Sequence, residues 1–154
     1  MPPKSKKEPP PDAALEAAPA PAEPVTGEGE FSFADGSNYN GAWARLESGA
    51  VVRQGRGVLT HVALGYKFVG EWKSDQMEGY GEFLYASGAK YAGQWEKNRY
   101  SGHGKYNFPD GSTYEGRWTE NQMHGAGMFV DKKGIIWKGQ FYNGSGPGLS
   151  ALVV

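Results

Sequence analysis

A five-residue phrase, Tyr-x-Gly-x-Trp, recurs along the chain at a nearly constant interval. Its four copies, one of which has Phe in the first position, begin at Tyr39, Phe68, Tyr91 and Tyr114. A Gly-x-Gly pair precedes each copy, and the last three such pairs begin 23 residues apart, at Gly79, Gly102 and Gly125. An interval of this length predicts an array of one repeated structural unit, in which each unit packs only against its neighbours.

The residues within one unit alternate in polarity, as the unit at 79–101 illustrates. Phe83 and Tyr85 are separated by one residue, and Tyr91 and Trp95 flank a glycine at the same spacing. Side chains two residues apart in a strand point to the same face, so each unit predicts two strands with one aromatic face. The four residues between the strands include the glycine of a tight hairpin turn. The predicted fold is therefore all-β: a single-layer antiparallel sheet of consecutive β-hairpins.

Composition divides the chain into three parts. Residues 1–26 contain eight prolines and no aromatic residue, so they cannot bury enough surface to offset their ordering entropy. We expect this segment to be a disordered tail, or one that a partner orders. Residues 27–144 are expected to hold five units, followed by an apolar extension at 145–154. The units are 27–43 with a longer loop at 44–54, then 55–78, 79–101, 102–124 and 125–144.

The aromatic residues of the repeated phrase are the candidate binding surface. In a one-layer sheet, one side of each ring packs against its neighbours while the other can still meet solvent, and a long apolar strip marks an interaction site. Tyr and Trp are also favoured anchors of protein interfaces. We therefore expect these rings to act both as core and as contacts for a partner helix or strand. The candidates are Tyr39, Trp43, Phe68, Trp72, Tyr91, Trp95, Tyr114, Trp118 and Trp137.

The central glycine of each phrase is expected to lie on the same face as the two rings. Because it has no side chain, it leaves a gap in which a neighbouring ring can lie against the backbone. In the last unit, Trp137 takes the Tyr position and Phe141 takes the Trp position, as terminal units of arrays often depart from the pattern. The central glycines are Gly41, Gly70, Gly93, Gly116 and Gly139.

No pattern in the chain predicts catalysis, a cofactor or a bound metal. Cysteine is absent, and the Gly-x-Gly pairs lack the helix and lysine of a phosphate loop, so we interpret them as turn glycines of the repeat. Asp35 and Asp110 occupy equivalent turn positions in different units instead of converging on one cleft. The three histidines, His61, His103 and His124, lack the spacing of a metal site and are expected to be polar surface residues.

The charge balance favours protein partners over nucleic acid or membrane. The net charge is −1, and residues 27–154 carry 13 acids and 13 bases. Lys4, Lys6 and Lys7 could attract an acidic partner or anionic lipid, but stable recruitment to a membrane by charge requires four or more such residues. No apolar segment follows these lysines, so we expect no secretory signal, and no apolar run approaches the ~18 residues of a membrane span.

The combined pattern resembles the MORN repeat (membrane occupation and recognition nexus). That repeat consists of a Gly-x-Gly pair, an aromatic strand, an Asp-Gly turn and Tyr-x-Gly-x-Trp. The resemblance covers Gly27 to about Gly144 and is closest in the units at 27–43, 79–101 and 102–124. It implies a curved, single-layer antiparallel sheet that acts as a scaffold or ligand groove, without catalysis.

The resemblance implies three alternative functions. Short MORN-repeat proteins are similar to components of cilia and flagella, including radial-spoke heads, so we expect a non-enzymatic scaffold of the axoneme on the cytoplasmic side. The second alternative is a cytoplasmic adaptor at a membrane, which recognises phospholipid or recruits signalling or phagocytic machinery. The third is a non-catalytic regulatory subunit of an enzyme complex.

Overall fold

The computed structural model describes residues 19–20, 22–146 and 148–152, which form eleven β-strands and no helix. The strands pair antiparallel in chain order and make one open sheet. They are β1 (Val25–Ser32), β2 (Asn38–Arg45), β3 (Val51–His61), β4 (Tyr66–Lys73), β5 (Gln76–Leu84), β6 (Lys90–Glu96), β7 (Arg99–Asn107), β8 (Thr113–Thr119), β9 (Gln122–Val130), β10 (Ile136–Phe141) and β11 (Ser150–Leu152). The predicted fold is thus confirmed. Most of the predicted tail, with its lysines, lies outside the described residues.

A row of glycines crosses the sheet, with one glycine from each of the first ten strands. In register, they are Gly29, Gly41, Gly57, Gly70, Gly81, Gly93, Gly104, Gly116, Gly127 and Gly139. Rings lie flat along this row because no side chain obstructs them. A methyl group at Gly104, for example, would overlap the ring of Tyr91, which reaches across from the preceding unit. The row therefore explains why the phrase keeps a glycine between its two rings.

The Trp rings of the interior units pack edge-on between rings of two successive units. Trp95 lies 5.3 Å from Phe68 of the preceding unit and 5.2 Å from Tyr91 of its own unit, measured between ring centroids. Trp118 repeats the arrangement, with Tyr91 at 5.4 Å and Tyr114 at 5.2 Å. Aromatic pairs of this kind contribute about 0.5–1.5 kcal/mol beyond their buried area. The ring contacts therefore hold each hairpin to the next.

From the second hairpin onwards, the turn that joins one hairpin to the next makes a second, polar connection. Its two residues have positive φ, for example Lys97 (48°) and Asn98 (66°), as a two-residue type I′ turn requires. Met77 N donates a hydrogen bond to Asn98 Oδ1 at 2.8 Å, and Tyr100 N donates one to Asn121 Oδ1 at 2.9 Å. Each turn is thus anchored on the preceding unit.

The turn inside the first and the fourth hairpin depends on an Asp-Gly sequence. Ser112 N and Ser112 Oγ both donate to Asp110 Oδ1, at 2.9 Å and 2.6 Å, and Gly111 has a φ of 90°. Asp35 accepts the same two bonds from Ser37. The hydrogen bonds from the serine side chain and backbone lower the pKa of both carboxyl groups. These two acids therefore stabilise turns, in separate units.

The predicted long loop at 44–54 is mostly strand, so that part of the prediction is wrong. β2 continues to Arg45 and β3 begins at Val51, which leaves only residues 46–50 between them. Val51 and Val52 are β-branched residues that favour strands, and they extend β3 beyond the length of the repeat. The array also begins earlier than predicted, because β1 starts at Val25.

The interpretation of the Gly-x-Gly pairs as turn glycines is also wrong. Gly79 and Gly81 lie inside β5, and the pairing register between β4 and β5 shifts beside them in a β-bulge. Gly79 has a φ of 73°, a left-handed conformation that disfavours other residues. Tyr80 N donates a hydrogen bond to Glu71 Oε2 at 2.9 Å across the bulge. The pairs therefore bend strands beside the repeated phrase.

The sheet differs at its two ends in how the edge is paired. At the C-terminal end, β11 pairs with the outer edge of β10, where Lys138 lies opposite Ser150. Leu149 packs against the aromatic core and lies over Gly139. At the other end, no strand of the described residues pairs with the outer edge of β1.

Candidate partner-binding surface

Most of the nine rings predicted to contact a partner are buried. The first ring of each phrase, at Tyr39, Phe68, Tyr91 and Tyr114, is at most 1% exposed. Trp72, Trp95 and Trp118 are also buried, whereas Trp43 and Trp137 are half-buried. The last two lie in the first and last complete hairpins, where the described residues supply a neighbouring unit on one side only. The seven buried rings therefore pack the core of the sheet, and contact between them and a partner stays a prediction.

The five central glycines lie where the sequence placed them, on the ring face of the sheet. Gly93, for example, lies between the buried rings of Tyr91 and Trp95. All five belong to the glycine row, namely Gly41, Gly70, Gly93, Gly116 and Gly139. Their partners in the row are the second glycines of the Gly-x-Gly pairs, a relation that becomes visible only when the strand register is known.

A second rank of rings lies on the same face and is half-exposed. We call it the aromatic strip, which consists of Phe83, Tyr85, Tyr106, Phe108 and Phe129. Consecutive ring centroids are 4.4 Å, 6.3 Å, 4.7 Å and 6.1 Å apart in that order. The strip therefore runs without interruption across three units. Its rings come from the Gly-x-Gly strands, a group that was not among the predicted contacts.

An open pocket of about 390 Å³ lies in the aromatic strip. Its apolar walls are formed by rings of the strip together with Tyr100, Trp118 and Met123, and Asn121 and Asn143 add polar groups at one side. A concave apolar site with a few polar groups is the usual form of a binding site. Its shape suits an apolar side chain from a partner.

The aromatic strip is uncharged at neutral pH. Burial raises the pKa of the Tyr85 phenol to about 12, and the neighbouring Tyr106 adds to the shift. The phenol therefore keeps its proton and can donate a hydrogen bond. The strip offers ring surface together with the neutral hydroxyl group of Tyr85.

Arg53 is a charged residue that packs against the same face, and the sequence analysis missed it. Its guanidinium carbon lies 4.2 Å from the Trp72 ring centroid, a cation–π contact, and Nε is 3.0 Å from the carboxylate of Asp75. Arg53 lies opposite Trp43 in the register, as Met77 lies opposite Trp72 in the next unit. Alignment of the units one below another would have revealed this departure.

The prediction that all three histidines lie at the surface is wrong for His61. This residue is 5% exposed, with Nε2 at 2.8 Å from the Asp35 carbonyl and Nδ1 accepting from Leu64 N at 3.1 Å. It is buried because both ring nitrogens link two neighbouring hairpin turns. His103 is exposed and His124 is half-buried.

The opposite face of the sheet is polar and carries exposed basic residues near its C-terminal end. Lys105, Arg117 and Lys138 lie there, next to a single acid, Glu115. A wide depression of about 730 Å³ includes the last two of these basic residues and the backbone of the glycine row. This face suits an anionic group better than an apolar one.

Within residues 19–20, 22–146 and 148–152, no group of three or more His, Cys, Asp or Glu side chains is arranged to hold a metal ion. Those same residues include no helix of the length and hydropathy that crossing a membrane requires.

The fold and its exposed rings define the chain as a repeat protein of stacked β-hairpins. In sequence, residues 68–90, 91–113 and 114–135 each match the MORN repeat. The three matched segments contain the whole aromatic strip, and the unit predicted at 27–54 lies outside them. MORN repeats are typical of protein-interaction or membrane-association modules, and the family is generally non-catalytic.

Outside the repeat match, similarity to known proteins is low. No curated protein sequence is significantly similar to this chain. One similar solved structure is described as the SAS-4 (dCPAP) TCP domain in complex with a proline rich motif of Ana2 (dSTIL) of Drosophila melanogaster. It is 14% identical, covers 82% of this chain and 84% of that chain, and has a TM-score of 0.29.

Proposed function

We propose that this protein is a non-catalytic scaffold that holds a helix or strand of a partner protein on the aromatic strip. The observation that carries the proposal is a continuous run of half-exposed rings around an apolar pocket. Aromatic anchors in such a setting supply most of the affinity of protein interfaces. An amphipathic helix would place its apolar side along the strip.

The test separates the aromatic strip from the buried rings. Trp95 and Trp118 are 5% and 6% exposed, so replacing them would disrupt the fold as well as any binding. Tyr85→Ala combined with Phe108→Ala removes rings that the strip exposes, and we expect it to weaken partner binding at least about tenfold. Tyr80→Ala is the matched control, because that ring is 54% exposed but projects from the opposite face.

The experiment is affinity purification of the tagged full chain from ciliated cells. Proteins that co-purify with the wild type and with Tyr80→Ala should be lost with the double variant, while circular dichroism shows all three chains folded. Retention of the same proteins by the folded double variant would refute binding through the strip.

We further propose that the partner belongs to the axoneme of a cilium or flagellum, for example a radial spoke. This step rests on sequence resemblance to short MORN-repeat proteins, and segment 134–141 is similar to the end of MORN repeat-containing protein 2. Fluorescence imaging of the tagged chain in ciliated cells tests it. The proposal requires the signal to follow the axoneme, and a diffuse cytoplasmic signal would contradict it.

A second candidate function is membrane association through the opposite face. The exposed basic residues Lys105, Arg117 and Lys138 favour it, because their charge attracts anionic headgroups. Flotation with phosphoinositide vesicles at ~0.15 M salt tests this function. If this function holds, Lys105→Glu with Arg117→Glu should abolish flotation. A wild-type chain that binds its protein partner but does not float would leave only the scaffold function.

A further inference from the structure

Gly29 is the second glycine of the first Gly-x-Gly pair, and within the described residues no ring of a preceding unit covers it. At Gly57, Gly81, Gly104 and Gly127, a side chain would overlap the ring of the preceding unit. At Gly29, an added Cβ would make only ordinary contacts, 3.5 Å from Phe31 and 3.5 Å from Trp43. Gly29, at the outer edge of β1, therefore lacks the close ring contact from a preceding unit that the other four glycines have.

Trp43 also lacks the ring contact that a preceding unit makes elsewhere in the array. Trp72 lies between two rings, with Tyr39 of the preceding unit at 5.5 Å and Phe68 of its own unit at 5.2 Å. Trp43 has no unit before it in the part of the chain that the structure describes, and it remains half-buried. A strand added to the edge of β1, with an aromatic residue two positions before a glycine, would complete both positions.

This chain carries such a strand at its other end. β10 contains Trp137-Lys138-Gly139, and Trp137 takes the position whose ring covers the following unit's glycine elsewhere in the array. No hairpin unit follows it in the described residues, and its indole Nε1 instead donates to Asp131 at 3.1 Å. We propose that the chain self-associates head to tail, with β10 of one copy paired to β1 of the next.

The register of the repeat then brings opposite charges together. In the interior, Gly116 lies opposite Gly127, and the residues before and after these glycines pair across the strands. The same register places Gly139 opposite Gly29 and Lys138 opposite Glu30. Opposite charges directly across a sheet stabilise the pairing, whereas like charges destabilise it.

A two-fold pairing of β1 with a second β1 fits less well. It would place Glu28 of one copy opposite Glu30 of the other, and neither copy would supply a ring for Gly29. A head-to-tail contact also propagates, because each added copy presents a new β1 edge. The outcome is an open polymer of a continuous sheet instead of a closed dimer.

The segment at 148–152 limits this association. β11 has three residues and occupies the edge of β10 from Ile136 to Lys138, and Leu149 lies over Gly139. The incoming β1 has eight residues, so it can replace β11 with a longer pairing. Residues 148–152 therefore act as a cap that competes with the second copy.

Sedimentation equilibrium of the full chain, from about 1 µM to about 1 mM, tests the proposal. The wild-type mass should rise from 16.7 kDa with concentration. Gly29→Ala should fold normally and remain at 16.7 kDa, because its methyl group blocks the incoming ring. Leu149→Ala loosens the cap and should shift association to lower concentration. A wild-type mass that stays constant, or a Gly29→Ala chain that associates like the wild type, overturns the proposal.

A charge swap distinguishes head-to-tail pairing from other assemblies. Glu30→Lys and Lys138→Glu should each raise the concentration for half-association roughly fivefold or more, and the double variant should restore it. Glu120→Lys is the control: it changes the charge equally, in an interior turn where Lys97 already occupies the equivalent position. If the double variant associates no better than the single ones, the assembly is not head to tail.

Discussion

Gly104 and Gly29 occupy equivalent positions in two units, yet their surroundings differ. The ring of Tyr91 from the preceding unit lies directly over Gly104, whereas Gly29 has only ordinary contacts with Phe31 and Trp43 of its own unit. Neither residue has a positive φ, so the backbone itself would accept alanine at both positions. The difference between them isolates the effect of the ring, which is the contact that connects successive hairpins.

Gly104→Ala should destabilise the protein by about 1–3 kcal/mol, because the new methyl group displaces a buried ring. Gly29→Ala should change the free energy of unfolding by less than about 0.5 kcal/mol. Urea unfolding followed by Trp fluorescence measures both at a concentration where the chain is monomeric. Equal destabilisation by the two substitutions would argue that rings do not lie over the row.

The type I′ turns between hairpins add hydrogen bonds to the ring contacts that connect successive units. Asp75, Asn98 and Asn121 are the second residues of three such turns, and each accepts a backbone hydrogen bond from the preceding unit. They recur every 23 residues, a periodic signal in the sequence that lies outside the repeated aromatic phrase. In the next turn the position is Gly144, which has no acceptor side chain.

Asn121→Gly should cost about 1 kcal/mol, because it removes one hydrogen bond but suits the positive φ of 69°. Asn121→Ala loses the same bond and adds left-handed strain of about 1–2 kcal/mol. The measured order of stability should be wild type, then Gly, then Ala. A chain in which Ala is as stable as Gly would contradict the assigned turn geometry.

The Asp-Gly turns should make the sheet sensitive to acid. Hydrogen bonds from Ser112, first through its side chain and then its backbone N–H, hold the pKa of Asp110 below its unfolded value of 3.8. A depressed folded pKa contributes stability that is present above pH 3.8 and is lost as the pH falls through the folded value. Asp35 behaves in the same way.

Urea midpoints at neutral pH and at about pH 3 test this dependence. Asp110→Asn keeps a side-chain acceptor but cannot titrate, so its midpoint should fall less on acidification than that of the wild type. An identical fall in the two chains would show that Asp110 does not contribute.

Strand alternation was enough to predict the hairpins, since Phe83 and Tyr85 or Tyr91 and Trp95 determine one face without any tertiary information. The depth of burial was not predictable in the same way. Tyr91 is fully buried because it lies over Gly104 of another strand, and that contact depends on a register that no local pattern specifies. His61 was misplaced for the same reason, since its partners come from two separate turns.

Taken end to end, the sheet is a chain of nearest-neighbour contacts with two unlike termini. Every interior unit receives a ring from the unit before it and gives one to the unit after it, as Tyr91 does. The first unit lacks a donor ring, and the last has a short cap over its edge. In such arrays the stability is approximately a sum over units and their interfaces, so the ends are where binding adds most.

Proton NMR of the glycine row measures the ring contacts themselves. A proton held over the face of an aromatic ring resonates upfield of its usual position. We therefore expect strongly upfield Hα signals for Gly57, Gly81, Gly104 and Gly127, and a smaller shift for Gly29 in dilute solution, because its ring contacts are more distant. Ordinary shifts at the first four glycines, or the same upfield shift at all five, would contradict the interlocked sheet described above.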